Sequence, residues 1–184
     1  SSSMQQASTS GRTVTDAVNT FYQHGGLDTE TVSLVARQQL DLMKDVINQE
    51  IDGRYLFSGS ATDAKPFSNG NQLDLNMQSL ISDWHAGTIT TAQLLSSVQT
   101  MSDTDLGFNP ALSSTGSVTT QIDKNQNLDY TSVATSNGMS DIVRGLALAA
   151  NLTELDLAAS PPGPSQTDMD AVIRYIKDSV TAAN

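Results

Sequence analysis

Apolar residues recur at spacings of three and four towards both ends of this chain and lose that rhythm in its middle. A period near 3.6 lines one face of a helix, so such a chain is expected to build helices from its two ends around an interrupted centre. The clearest stretch is 28–51, where Val32, Val35, Ala36, Met43, Val46, Ile47 and Ile51 fall largely on one stripe. Asp28 is placed to accept from first-turn N–H groups, Glu30 favours the same helix end, and Gly53 is read as the stop, because glycine readily takes the left-handed conformation of a C-terminal cap. Upstream, Thr13 to Asp16 start a shorter helix carrying Val14, Ala17, Val18 and Phe21, broken by His24, Gly25 and Gly26. Helical spacing returns over 138–157 with Met139, Ile142, Val143, Leu146 and Ala150. The proline-rich run 158–164 cannot continue that helix. A last helix starts near Ser165, carries Met169, Val172, Ile173, Ile176 and Val180, and is expected still to be running at Asn184.

The middle reads differently. Arg54 to Phe57 is a short aromatic strand signal closed by Ser58, Gly59 and Ser60, and Pro66 with Phe67 marks the next turn and strand entry. Leu73, Leu75 and Met77 alternate with Asp74 and Asn76, which predicts one more half-buried strand. Two short helices are expected at 78–85 and 91–101, parted by Gly87, and then a turn-rich segment over 103–115. Val118, Thr120 and Ile122 alternate, as do Leu128, Tyr130 and Val133, so that the turn-forming 123–127 closes an antiparallel hairpin. The expected fold is α+β: an antiparallel helical-bundle domain made from both chain ends, residues 1–59 and 137–184, with an inserted β-rich outer domain over 60–136.

Composition serves to exclude. Nine Lys and Arg against 20 Asp and Glu give a net charge of -11, and so few scattered cations predict no nucleic-acid partner. The chain has no cysteine, which removes disulfides, thiolate metal sites and Cys nucleophiles. His24 and His85 are its two histidines. No apolar run approaches the roughly 18 to 20 residues of a membrane span. Together 23 Ser and 20 Thr make up nearly a quarter of the 184 residues, a composition expected of an exported, soluble protein. The Ser-rich start without Met is read as that of a trimmed chain whose terminal segments lie outside it.

No constellation carries chemistry. Asp103, Asp105 and Gly107 begin like a calcium loop, but Gly107 stands where a third oxygen ligand is needed and Ser114 where the final acid is needed, so the expected structure is a polar turn. Asp168 and Asp170 are explained by helix-start electrostatics. Asp41 and Asp45 are like charges one turn apart, read as a solvated face. Ser58 lacks the first glycine of a nucleophile elbow. Gly53, Gly59 and Gly70 are not spaced as a phosphate loop. Trp84 with Tyr130 has the chemistry to stack a sugar, although isolated aromatics are more often core residues. No catalytic, cofactor or metal site is expected, and no enzyme.

The residues that carry a resemblance are Asn48, Gly53, Arg54, Tyr55, Leu56, Phe57, Ser58 and Gly59, followed by Pro66 and Phe67 after Lys65. This stretch resembles the bacterial flagellar hook-associated proteins of the flagellin-like family, in which a long helix runs into an Asn-rich bend, a Gly-Arg-Tyr strand and a Pro-Phe pair. A second stretch, from Ile122 through Leu128 and Tyr130 to 138–152, is similar to the segment after the variable domain in many of these proteins. The resemblance implies a non-enzymatic structural subunit, exported through the flagellar type III apparatus and located on the extracellular flagellum. It implies an adapter between hook and filament, whose partners are copies of itself in a ring, neighbouring hook-associated and flagellin subunits, and an export chaperone that engages terminal segments. Those segments pair as a coiled coil in the family and are expected to lie outside this sequence. Two alternatives stay open: a filament flagellin, and a secreted carbohydrate-binding module with Trp84 in a cleft.

Overall fold

A computed structural model describes residues 2–23, 26–114 and 138–182. Among them six α-helices account for nearly all regular structure: α1 (Ser2–Phe21), α2 (Thr29–Ile47), α3 (Gly70–His85), α4 (Thr91–Gln99), α5 (Met139–Asn151) and α6 (Gln166–Val180). The extended pieces are two ladders of two residues a side, β1 (Tyr22–Gln23) with β2 (Gly26–Leu27), and β3 (Glu50–Ile51) with β4 (Arg54–Tyr55). The expected α+β fold with a strand-rich insertion is therefore wrong for the described residues: the part of 60–136 that is described holds α3, α4 and a 3-10 turn at Pro110–Ser114.

The error has a specific physical source. Leu73 and Met77 do not belong to a strand; with Ile81 and Trp84 they form the buried stripe of α3, at spacings of four, four and three, while Leu75 is 59% exposed on the other side. Alternation over five residues imitates a period of two, and the helical period emerges only over the longer window. The Asn69 side chain accepts from Gln72 N–H at 3.2 Å and starts this helix eight residues earlier than the apolar pattern at 78–85 suggests. The hairpin read over 118–133 lies outside the described residues.

Both ends of the chain supply the frame. The ladder pairing Tyr22 with Leu27 turns the chain back, so α1 and α2 run antiparallel. Ser33 Oγ donates to Ala150 O at 2.6 Å, which sets the start of α2 against the end of α5, and these two also pack antiparallel along their lengths. Helix α6 closes the ring between α5 and α1. Its final turn sits where two glycines leave room: a Cβ on Gly145 would stand 2.7 Å from Val180 Cγ1 and 2.9 Å from Ser179 Cβ, and one on Gly11 would fall on the Val180 carbonyl. Helix propensity is sacrificed at two mid-helix positions for close backbone approach. The core of the ring includes Val14, Val18, Ala36, Met43, Ile142, Leu146, Val172 and Ile176, all fully buried, with Leu40 and Ile173 nearly so. Helix α3 leans on α5, and α4 on α5 and α6, so that Leu73, Met77, Trp84, Leu94 and Val98 join the same apolar cluster.

Boundaries differ from the sequence reading in ways the caps explain. Helix α1 begins at Ser2 rather than near Thr13. Helix α2 stops at Ile47, not Ile51, because Asn48 takes the C-cap position; Gly53 is a turn residue further on, not the helix stop. Helix α5 ends at Asn151, where Leu152 turns extended, and α6 ends at Val180 with Thr181 as C-cap instead of continuing to Asn184. The Asp28 cap is present, its carboxylate accepting from Thr31 N–H at 3.2 Å.

Candidate functional site

The stretch singled out by its motif folds into a corner between the end of α2 and the start of α3. Just past Asn48 the chain makes a hairpin, pairing Glu50 with Tyr55 and Ile51 with Arg54. Its two-residue turn is Asp52 and Gly53, at φ 53° and 76°. Positive φ at both central positions is the turn that matches strand twist, and Asp-Gly suits it. Arg54 is exposed, Tyr55 and Leu56 are half-buried, and Phe57, Ser58 and Gly59 are buried. The Tyr55 hydroxyl bonds to Glu50, which together with slight desolvation raises its pKa above the ordinary 10.0. Leu56 N–H donates to Gln49 O at 3.1 Å and Tyr55 N–H to Thr62 O at 2.9 Å. Ser58, fully buried, donates its hydroxyl proton to Ala64 O, and Gly59 follows at φ 58°.

The decisive contact joins the two halves of the motif. Asn48 Oδ1 accepts from Phe67 N–H at 2.8 Å while its Nδ2 donates to Phe67 O at 3.0 Å. One side-chain amide thus pairs with both backbone groups of a residue that is 2% exposed, as a neighbouring strand would. Phe67 also forms an antiparallel bridge with Phe108, and the two rings meet edge to face at 5.4 Å and 84°. Gly107 makes that approach feasible. It sits at φ 96°, and a Cβ there would stand 2.7 Å from Asn69 O; its own carbonyl accepts from Ser68 and Asn69 N–H at 3.1 and 3.0 Å. Pro66, buried, presents its carbonyl to Asn109 N–H at 2.8 Å, and Asn109 Nδ2 donates to Lys65 O at 3.1 Å.

Sequence reasoning missed Gly107, Phe108 and Asn109 as parts of this corner, although an aromatic inside a turn-rich segment is a usable signal. It also missed a polar knot linking three helices. Arg37 Nη1 on α2 reaches both Asp74 oxygens on α3, at 3.0 and 2.9 Å. Asn151 at the end of α5 is 8% exposed and donates to Asp74 Oδ1 at 3.0 Å and Ala147 O at 2.8 Å, while its Oδ1 accepts from Arg37 Nη2 and Gln78 Nε2, both at 3.3 Å.

The other residues weighed for chemistry fall elsewhere. Trp84 is 1% exposed and its Nε1–H donates to Thr91 Oγ1 at 2.9 Å, so its ring presents no face to a sugar; Tyr130 and His24 lie outside the described residues. Thr91 in turn donates to Asp168 at 2.8 Å, and Ser165 binds the same carboxylate. The Ser165 N–H and hydroxyl, then the Thr91 hydroxyl, hold Asp168 below the usual carboxylate range. His85 meets Thr153 Oγ1 through Nε2 at 2.8 Å, and desolvation pulls its pKa below the ordinary 6.5. Asp103 and Asp105 are exposed in a helical turn that sends Leu106 and Phe108 into the core. Among the described residues no three His, Asp or Glu side chains gather as a metal site. What the corner does chemically is hold a bend: the Asn48 and Asn109 amides and the Ser58 hydroxyl are engaged with backbone.

No protein-family model, curated protein or solved structure matches this chain. No helix of the described residues is long and apolar enough to cross a membrane.

Proposed function

We propose that this chain is a structural subunit of the bacterial flagellum, an adapter at the junction of hook and filament on which the filament assembles. The observation that carries the reading is the corner from Asn48 to Phe67, where the residues of the motif all serve one shape. In support, the frame is a ring of four helices drawn from both parts of the chain, with the intervening segment carried on it. A subunit of this design recruits copies of itself through the outward faces of α1, α2 and α6, and meets hook-associated and flagellin neighbours at its rims. Residues 1–59 and 137–184 form the assembling frame in this proposal, with α3 and α4 packed against it. Export through the type III apparatus, with a chaperone bound to segments outside this sequence, and an extracellular location belong to the same reading.

The test is immunogold labelling of flagella from cells that make the tagged full-length protein. A band at the hook end is the expected result. Label along the whole filament would replace the adapter by a flagellin, and no label on flagella would remove the flagellar reading.

A further inference from the structure

We propose that Asn69 is a self-modifying position: the Gly70 backbone nitrogen displaces its side-chain amide nitrogen, and the fold keeps the resulting aspartate as the cap of α3. Of the described asparagines it alone precedes a glycine. Glycine offers its backbone nitrogen with no Cβ to obstruct attack. Asn69 is exposed, so water and hydroxide reach it. Its Oδ1 accepts from Gln72 N–H at 3.2 Å, while its Nδ2, the leaving group, makes no hydrogen bond among the described residues. By contrast, the Nδ2 groups of Asn48, Asn76, Asn109 and Asn151 all donate. Gly70 N–H stands at the first position of the helix, where no helical carbonyl is in reach, and donates to nothing among the described residues.

The reaction needs no reagent but water. Base removes the Gly70 N–H proton, the nitrogen bonds to Asn69 Cγ, and the Cγ–Nδ2 bond breaks as ammonia departs, which leaves a five-membered succinimide. Water then opens the ring. Addition at Cγ with cleavage of the new Cγ–N bond gives aspartate, and addition at the backbone carbonyl carbon gives isoaspartate, whose main chain runs through the side chain. The fold acts on each stage. The Lys44 ammonium lies 3.5 Å from the place a Gly70 Cβ would take, at the positive end of α3, and both favour the anion that forms on the nitrogen and then on oxygen. Asn69 sits at φ -139° and ψ 60°, and its carbonyl accepts from Leu73 N–H at 3.4 Å. Closing the ring turns ψ and releases that long bond, so the reaction proceeds from a frayed first turn. Ring opening is directed by space. Asn69 N–H is tied to Gly107 O at 3.0 Å, and a Gly70 Cβ would already stand 3.3 Å from the Phe67 ring. An extra main-chain carbon between these two fixed points would displace α3, whereas aspartate keeps the chain path, still accepts from Gln72 N–H, and sets its charge at the helix end that favours it.

The test holds the full chain at mildly alkaline pH, folded in one sample and unfolded in urea in another. Peptide mapping by mass spectrometry reads the loss of each side-chain amide and separates aspartate from isoaspartate; Asn137, which also precedes a glycine, falls in a different tryptic peptide. Conversion of Asn69 in the folded chain is expected to be several-fold faster than at any other described asparagine. Aspartate should exceed isoaspartate in the folded chain, with the reverse in urea. The product should coelute with an Asn69→Asp protein on anion exchange and be missing from Asn69→Ser, which retains a capping oxygen. Lys44→Gln should slow conversion several-fold in the folded chain and leave the rate in urea unchanged. An Asn69 that stays intact in the folded chain after the unfolded chain has converted, or an excess of isoaspartate in the folded chain, overturns the proposal. An unchanged folded rate in Lys44→Gln overturns the part assigned to Lys44.

Discussion

Removing the Asn48 amide should unpair the two halves of the corner. In Asn48→Ala, Phe67 loses the acceptor 2.8 Å from its N–H and the donor 3.0 Å from its carbonyl, at a residue 2% exposed to water. A buried polar group left unmatched costs about 1–3 kcal/mol, so two of them amount to about 2–4 kcal/mol once partial solvation is allowed for. For a chain of this length that is a fall in Tm of about 5–15 °C. Asn48→Asp is a finer probe. At neutral pH the carboxylate still accepts from Phe67 N–H but sets an oxygen against the Phe67 carbonyl where Nδ2 donated. Protonated, it regains a donor, so the folded state holds that proton more tightly than the unfolded chain, and the folded pKa rises above the usual value of about 3.9. A raised pKa contributes stability that is complete below the unfolded pKa and is lost as pH climbs through the folded one. The deficit of Asn48→Asp relative to the parent should therefore shrink between pH 7 and pH 4, whereas that of Asn48→Ala should not. Thermal unfolding followed by circular dichroism gives both numbers, and hydrogen exchange at the Phe67 amide localises the effect. An Asn48→Ala protein within about 0.5 kcal/mol of the parent, with Phe67 exchange unchanged, would refute the reasoning.

Three further outcomes are expected. Gly145→Ala gains about 1 kcal/mol of helix propensity but loses about 1–3 kcal/mol to overpacking against Ser179 and Val180, so urea unfolding should show net destabilisation; a more stable variant would mean that α5 and α6 do not approach so closely. Asp74→Ala leaves the Arg37 guanidinium without its carboxylate and should cost about 1–2 kcal/mol, and Arg37→Lys should lose much of the same, because one ammonium cannot serve Asp74 and Asn151 together; an Arg37→Lys protein equal to the parent in urea unfolding would reduce the knot to simple charge. His85, its pKa lowered by desolvation, lets the unfolded chain bind protons more readily, so stability should fall as pH drops below the ordinary 6.5; His85→Gln should flatten that part of the pH profile of Tm, and identical slopes in both proteins would disprove the assignment.

The frame is legible in the sequence because each of its helices repeats one short rule many times. Val32, Ala36, Met43 and Ile47 are buried where the stripe predicts, as are Met169, Val172, Ile173, Ile176 and Val180. The start of α1 is not legible, because its Ser, Thr and Gln side chains set no apolar rhythm and Ala7 is its one fully buried apolar residue before Val14 among those described. Where a decision rests on five residues, as at Leu73 to Met77, two periods fit equally and the strand is the wrong one. A lone tryptophan likewise reads the same whether its ring faces water or, like Trp84, the core.

What no local pattern can supply is contact at long separation. Asn48 and Phe67 both belong to the motif, yet nothing in their neighbourhoods states that one amide will span 19 residues to pair with the other's backbone. Gly11 and Gly145 read as weak points of two helices until α6 is placed between them, and only then does the missing Cβ become the reason the ring closes. These long-range devices are not scattered. Asn48 holds the chain on its way to α3, Gly70 at the first turn of α3 lies against the Lys44 side chain, and Arg37 grips Asp74 one turn further on. Contacts spread over the last three turns of α2 and its C-cap thus fix the direction in which α3 leaves the corner. Hydrophobic burial alone is nondirectional and would tolerate several angles; the paired amide and the forked guanidinium admit few. The corner is accordingly best understood as a means of setting an angle between two helices.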